Sequence, residues 1–362
     1  MKKLIITAII FFLWNQSIVA QKIENNNQNS IEIDLIIQAN NNKIGGTLTI
    51  PANMKTSALV IMSSGSGPQD RDETLEGFKI FKVIADHLAS TGISSFRYDD
   101  RGVGSSTGDF VNSTIEDHAK DLEHIMEYFK STEEHSFNNF ILFGHSQGGI
   151  LTAKVAVGNE SVKKVILMGA PVVPLIEVVL YQVRQEYKQS KISKSLIEAD
   201  VSAHNKLMRA IEDNRSINKT YQIFKETTES ILYELSSSEE VVDSLKIEQE
   251  AIAKANEFKT IYGLPSLTSF LYYDTSSDLE QLKVPVLGLF GGLDFQVPIH
   301  QNKDRMENAL LKSGTNYHFK VFNDANHFFQ KAVTGQRNEY GKLEKRFVDG
   351  FLHVISDWLN EN

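Results

Sequence analysis

The chain of 362 residues contains no cysteine, which excludes disulfides, thiolate metal sites and attachment of a lipid through a cysteine near the amino terminus. Positive charge is short as well. The 37 Lys and Arg against 46 Asp and Glu leave a net charge of −9, so there is no basic field for nucleic acid or for an anionic membrane surface, and nucleic-acid binding is not expected. There is no H-E-x-x-H, and the ten His are scattered, so neither a metal nor a cofactor is expected. Nor is there an internal repeat at solenoid period.

Long apolar runs are missing too, apart from one at the start. Leu4 to Trp14 is apolar, but it meets Asn15, Gln16 and Ser17 after about eleven residues, too short to span a bilayer. Preceded by Lys2 and Lys3 and followed by the small residue Ala20, residues 1–20 read as a secretory signal peptide cleaved near Ala20–Gln21, with a membrane anchor as the alternative. The expectation is a secreted or periplasmic protein with no stable membrane insertion after signal removal. An exported chain without disulfides fits a bacterial periplasm or exterior better than a eukaryotic secretory route. Oligomeric state is not legible.

What is present is a pattern of alternating elements. The apolar content of 41% suffices for a large core. Residues 21–30, with Asn25-Asn26-Asn27-Gln28-Asn29, have nothing to bury and read as a disordered tail. Residues 31–38 and 43–50 alternate apolar and polar side chains around Asn40-Asn41-Asn42, the pattern of an antiparallel hairpin. From residue 58 short continuous apolar runs take over, predicting strands at 58–63, 93–98, 140–143, 164–168, 284–290 and 319–322. Helical periodicity predicts helices between them at 78–90, 115–130, 149–157, 300–311 and 344–359. This is an α/β fold, a mostly parallel sheet flanked by helices. Residues 173–277 break the alternation with helical stretches such as 176–187, 195–211 and 239–255 and no convincing strand. They are expected to form a helical cap over the C-terminal edge of the sheet, inserted into a core made of 31–172 and 278–362.

The chemistry is concentrated where the strand Phe140-Ile141-Leu142-Phe143 runs into Gly144-His145-Ser146-Gln147-Gly148-Gly149 and on into a helix. This is G-x-S-x-G in the strand–turn–helix context the motif requires, which makes Ser146 the candidate nucleophile. A serine at so sharp a turn is strained, and its neighbours two positions away must lack side chains for strand and helix to approach. His145 borders it with its side chain turned away and reads as packing or support.

A serine hydroxyl needs an imidazole to take its proton and a carboxylate to orient that imidazole. The partners follow the serine in the order acid, then His. Strand 284–290 ends in Gly291-Gly292-Leu293-Asp294, which puts Asp294 past the sheet edge as the candidate acid, although capping the next helix is an equal reading. Among the His, His318 heads the last strand and is expected to be packed into the sheet, and His300 leaves no strand between acid and base. His327 follows the last strand on a polar loop, where the base must sit. Two backbone amides are needed for the tetrahedral oxyanion. The candidates are Gln147, just after the nucleophile, and Ser66 in the loop Ser63-Ser64-Gly65-Ser66-Gly67-Pro68 after the first core strand.

Together with Gln69-Asp70-Arg71-Asp72-Glu73, Arg97-Tyr98-Asp99-Asp100-Arg101-Gly102-Val103-Gly104-Ser105-Ser106, Gly291-Gly292-Leu293-Asp294 and Asn326-His327, these motifs cover nearly all of residues 45–361 in order. The chain resembles the α/β-hydrolase superfamily, in its bacterial serine aminopeptidase-like and dienelactone-hydrolase-like esterase branch. The resemblance implies a carboxylesterase that acts on small acyl esters without a cofactor. It departs from many members in having Ser64 where they carry His before Gly. Carboxylates and arginines at 70–72 and 99–106 read as structural pairs beside the site.

A serine in place of an aspartate at the elbow excludes dehalogenase and epoxide-hydrolase chemistry. Release of N-terminal residues from peptides is the runner-up, and a non-catalytic binding protein on the same scaffold comes third because all three triad candidates are present. The cap is expected to select the acyl or leaving group and favour ester over charged peptide, through apolar residues such as Leu175, Ile176 and Val179 with Tyr262, Phe270, Tyr272 and Tyr273, although packing cap against core is the better reading for most of these side chains.

Overall fold

The computed structural model describes residues 30–39, 41–187, 190–236 and 243–361. The expected signal peptide at 1–20, the tail up to residue 29, Asn40 and positions 239–242 of one expected cap helix lie outside the described residues.

The hairpin forms as the alternation requires. Strands β1 (Ser30–Ala39) and β2 (Asn42–Pro51) pair antiparallel, with Ile31 opposite Ile50 and Ile37 opposite Ile44. Next come β3 (Ala58–Ser63), the two-residue strands β4 (Thr74–Leu75) and β5 (Phe78–Lys79), helix α1 (Ile80–Ser90), β6 (Ser94–Tyr98), α2 (Ile115–Ser131), β7 (Asn139–His145), α3 (Gln147–Ala156) and β8 (Val162–Met168). Five helices follow: α4 (Leu175–Glu186), α5 (Lys194–Glu212), α6 (Ile217–Ser236), α7 (Ser244–Tyr262) and α8 (Pro265–Leu271). The chain then returns to the sheet through α9 (Thr275–Leu279), β9 (Val286–Gly291), α10 (Ile299–Ser313), β10 (Tyr317–Phe322) and α11 (Phe351–Asn360).

The sheet has eight strands in the order β1-β2-β6-β3-β7-β8-β9-β10, parallel from β6 to β10. Every residue of β3, β6 and β9 is buried, which is why β3 and β9 read as near-continuous apolar runs, while β6 also buries Ser94, Ser95 and Arg97. Their side chains alternate between two cores. Leu59, Ile61, Phe140 and Leu142 pack with Leu122, Phe129 and Leu151 of α2 and α3. Val60, Met62, Ile141 and Phe143 face the opposite way, onto Phe81 and Leu88 of α1 and Phe351 and Ile355 of α11.

The order of the strands fixes the place of any ligand. After β3 the chain crosses to β6 on one side, and after β6 it returns to β7 on the other. The connections therefore diverge at the C-terminal ends of β3 and β7, and open α/β sheets bind their ligands in the crevice at such a switch point.

Two helices that flank the sheet start later than expected. Helix α1 begins at Ile80 and not at 78, because Phe78 and Lys79 pair with Leu75 and Thr74 in the small β4–β5 hairpin. Helix α11 begins at Phe351 and not at 344. Phe347 bridges to Gln330, the Val348 amide donates to the Phe329 carbonyl at 2.8 Å, and Gly350 takes a left-handed φ of 79° that starts the helix afresh. The apolar residues that imitate a helical face there are extended backbone bracing the loop that carries His327.

The described residues divide into two compact units, one of which is Pro174–Tyr273. Its described residues form helices and turns with no strand, and Val179, Val183, Leu207, Phe224, Phe258 and Tyr262 make a core of its own. Residues 274–277, expected in the cap, belong with the sheet unit, where Leu279 of α9 joins the sheet core. Helix α6, not singled out in the sequence, is 20 residues long.

Candidate active site

Strand β7 ends at His145 and α3 starts at Gln147, so a single residue turns the chain. Ser146 has φ 52° and ψ −121°, a sparsely populated conformation that costs on the order of 1–3 kcal/mol and persists only where the surroundings impose it. The imposition is visible. The Ser146 amide donates to the Met168 carbonyl at the end of β8 at 2.9 Å. A Cβ on Gly144 would collide with the Gly148 carbonyl, and one on Gly148 with the Ser63 carbonyl. Of residues 141–150, Ser146 alone is not fully buried.

Asp294 follows β9 on a loop held to the end of β10 by Gly292 N–H to the Phe322 carbonyl and Leu293 N–H to the Ala325 carbonyl. Its carboxylate does two jobs. Oδ1 accepts from the Gln296 and Val297 amides, both at 2.8 Å, and Oδ2 lies 2.8 Å from His327 Nδ1. The sequence left Asp294 even between acid and helix cap: Oδ2 meets the candidate base, and the amides on Oδ1 close a turn ahead of α10, whose N-cap is Pro298. His327 is buried on the loop after β10, which Asn326 shapes by accepting from the Phe328 and Gln330 amides, each at 3.0 Å. Burial lowers the His327 pKa, with His145 adding to the effect and Asp294 opposing it, and the net direction is down. A neutral imidazole with Nδ1 committed to a carboxylate has Nε2 as its basic atom. Ser146 Oγ and His327 are not hydrogen-bonded to each other among the described residues, and catalytic hydrogen bonds often tighten only around substrate.

Strand β3 delivers the other side of the site. A Cβ built on Gly65 would lie 3.2 Å from Ser146 Cβ, which brings the Ser64–Gly67 loop up to the elbow. The Gly65 amide donates to Glu73 Oε1 at 2.7 Å and is therefore spent. The Ser66 and Gln147 amides donate to no protein acceptor among the described residues, and Gln147 opens α3 with the positive end of the helix dipole.

The charged stretches beside the loop hold it in place. Arg71 grips Asp99 through Nε at 3.1 Å and Nη2 at 2.6 Å. The fully buried Arg97 joins Asp72 to Glu32 of β1. Asp100 accepts from the Gln69 amide at 2.9 Å and from Ser64 Oγ at 3.2 Å, and burial pushes its pKa up to about 8. None of these carboxylates hydrogen-bonds to Ser146, Asp294 or His327.

His318 differs from expectation: its side chain is exposed, because β10 is the edge strand and only alternate residues there face inward. His300, on α10, is exposed as well. Sequence reasoning passed over Glu73, whose carboxylate contacts both Gly65 and His145. Its only signal was a place at the end of the Gln69–Asp72 motif. Among the described residues no group of three or more His, Asp or Glu is placed to hold a metal ion, and no helix is long and apolar enough to cross a membrane.

A mostly parallel eight-stranded sheet with a serine elbow at its switch point and a His–Asp pair on the loops of β9 and β10 is the α/β-hydrolase fold. Residues 75–330 match the family model described as "Serine aminopeptidase, S33", and the chain belongs to that family. It is 27% identical over 323 residues to Esterase EstD of Thermotoga maritima, covering 88% of this chain and 66% of the relative, so that it spans slightly under two thirds of that protein. Among solved structures, the Pyrococcus furiosus esterase Pf2001 superposes with a TM-score of 0.52 at 11% identity, over 95% of this chain and 98% of the other. The esterase EaEST of Exiguobacterium antarcticum gives 0.50 at 16% identity, over 91% and 100%. At such identities these likenesses bear on the fold alone.

Proposed function

We propose that the protein hydrolyses carboxylic esters of small molecules through an acyl-enzyme on Ser146. The observation that carries this reading is the 2.8 Å contact of His327 Nδ1 with Asp294 Oδ2, on the same sheet edge as a serine held in strained backbone. In the proposed mechanism Ser146 Oγ attacks the ester carbonyl while His327 Nε2 takes its proton. Asp294 keeps the imidazole in the right tautomer and stabilises the imidazolium. The oxyanion is received by the amides of Gln147 and Ser66. His327 then protonates the departing alcohol, and a water activated by the same imidazole releases the acid and restores Ser146. No metal or cofactor takes part.

The name of the similar Esterase EstD supports an ester as substrate. A second reading, release of N-terminal residues from peptides, is favoured by the description of the family model. The two are separated by measuring kcat/KM on p-nitrophenyl esters of rising chain length beside aminoacyl-p-nitroanilides. Turnover of the esters with none of the anilides supports the proposal, and the reverse contradicts it.

We further propose that the protein is exported, on the strength of the Lys2-Lys3 start, the apolar run to Trp14 and Ala20. Protein isolated from its host should begin near Gln21. Met1 retained on a membrane-extracted form would favour an anchor instead.

A further inference from the structure

His145, next to the nucleophile, is 1% exposed and uses both ring nitrogens. Nδ1 lies 2.7 Å from Glu73 Oε1 and Nε2 lies 3.1 Å from the backbone carbonyl of His327. A carbonyl can only accept, so Nε2 carries a proton. Glu73 Oε1 is already an acceptor, taking the Gly65 amide at 2.7 Å, and Nδ1 meets it as a second donor. Both nitrogens donate, and the ring is an imidazolium paired with a carboxylate.

Glu73 is held in an unusual way. Its backbone is left-handed, with φ 47°, on a turn that Asp70 builds by accepting from the Asp72 and Thr74 amides and the Thr74 hydroxyl. It is 3% exposed, and Oε2 has no hydrogen-bond partner among the described residues. A strained backbone and an unpaired buried oxygen are costly, and together they are more than general stability requires of a single residue. What they achieve is one oxygen, Oε1, in contact with the loop of Ser66 and the elbow of Ser146 together. Through His145 the same oxygen reaches the loop of His327.

We infer that Glu73 and His145 are a positioning pair: neither touches the reacting atoms, and together they hold the Ser66 loop and the His327 loop in register with Ser146. The inference rests on the proposed roles of those residues. His145 also acts on the base directly. Its ring centroid is 4.7 Å from that of His327, and its positive charge opposes a second charge there. The groups facing His145 are Glu73 from the turn after β3, Asp294 from the β9 loop and His327 from the β10 loop. Burial pulls the His145 pKa down, but Glu73, the His327 carbonyl and Asp294 outweigh it, and the net direction is up.

The test is steady-state kinetics on His145→Gln and Glu73→Gln, with Tm recorded for each, beside Ser146→Ala. The pair predicts that kcat falls on the order of 10- to 100-fold in each variant with KM nearly unchanged, since small misplacements of reacting groups cost that much. It also predicts that the double variant is little worse than either single one. In His145→Gln the loss of a positive neighbour moves the acid limb of kcat/KM to higher pH. A lower Tm with kcat and the acid limb unmoved overturns the inference. Should the variants fail to fold, nitrogen NMR of the wild-type protein decides: both ring nitrogens of His145 protonated at neutral pH supports the pair, and one bare nitrogen overturns it. An active Ser146→Ala removes the catalytic reading itself, whereas an inactive Ser146→Ala beside a His145→Gln enzyme of wild-type kcat removes only the pair.

Discussion

Asp294 joins the turn it sits on to the imidazole of His327: one carboxylate oxygen takes two backbone amides of its own loop and the other takes His327 Nδ1. The oxygen that meets His327 is therefore aimed by the backbone, and the imidazole is oriented by a carboxylate that its own turn holds in place.

Substitution at this position should separate the two jobs. Asp294→Asn keeps an acceptor for the Gln296 and Val297 amides and loses the carboxylate at His327. We expect kcat to fall by about 10⁴-fold, with Tm close to wild type. Asp294→Ala loses both, leaving buried donors unpaired at a cost of about 1–3 kcal/mol each. Thermal denaturation of the two variants checks this. Equal Tm losses in both would mean that the amides do not depend on Oδ1.

The pH profile follows from the direction of the His327 shift. A general base works when unprotonated, so kcat/KM should be full above its pKa and fall as pH drops through it. Because burial lowers that pKa from the ordinary value of 6.5, the acid limb should lie below pH 6.5. A limb above pH 6.5 would contradict the environment described for His327.

Asp100 makes a prediction about stability. Its folded pKa, about 8, lies above the unfolded value of about 3.9. Between those values the unfolded chain has released the proton and the native protein keeps it. Stability therefore falls as pH rises from about 4 towards 8. Asp100→Asn cannot release that proton, while its amide oxygen can still accept from Gln69 and Ser64. Its Tm should gain on wild type steadily over this range, as differential scanning calorimetry across pH would show. Parallel curves would mean that Asp100 is ionised in the native state.

Much of this arrangement was legible because it is local. The elbow is six consecutive residues, and the apolar strands around it are continuous because both faces of each strand are covered. Asp294 was legible as a strand-end carboxylate, and its two roles could be separated only by seeing both oxygens. His318 was misread as packed because membership of an edge strand is a property of sheet order, which no window around Tyr317–Phe322 contains. Residues 344–350 imitated a helical face because Phe347 and Val348 are buried by pairing with Gln330 and Phe329, a contact between distant stretches of chain. Glu73 was passed over for the same reason, since its partner His145 lies 72 positions away.

The central claim, that Ser146 is the nucleophile, is tested most directly by comparing p-nitrophenyl ester hydrolysis by wild-type protein and by Ser146→Ala, with the fold checked by circular dichroism. We expect a folded variant whose kcat is lower on the order of 10³-fold or more. A folded Ser146→Ala protein that keeps near-wild-type activity would contradict it.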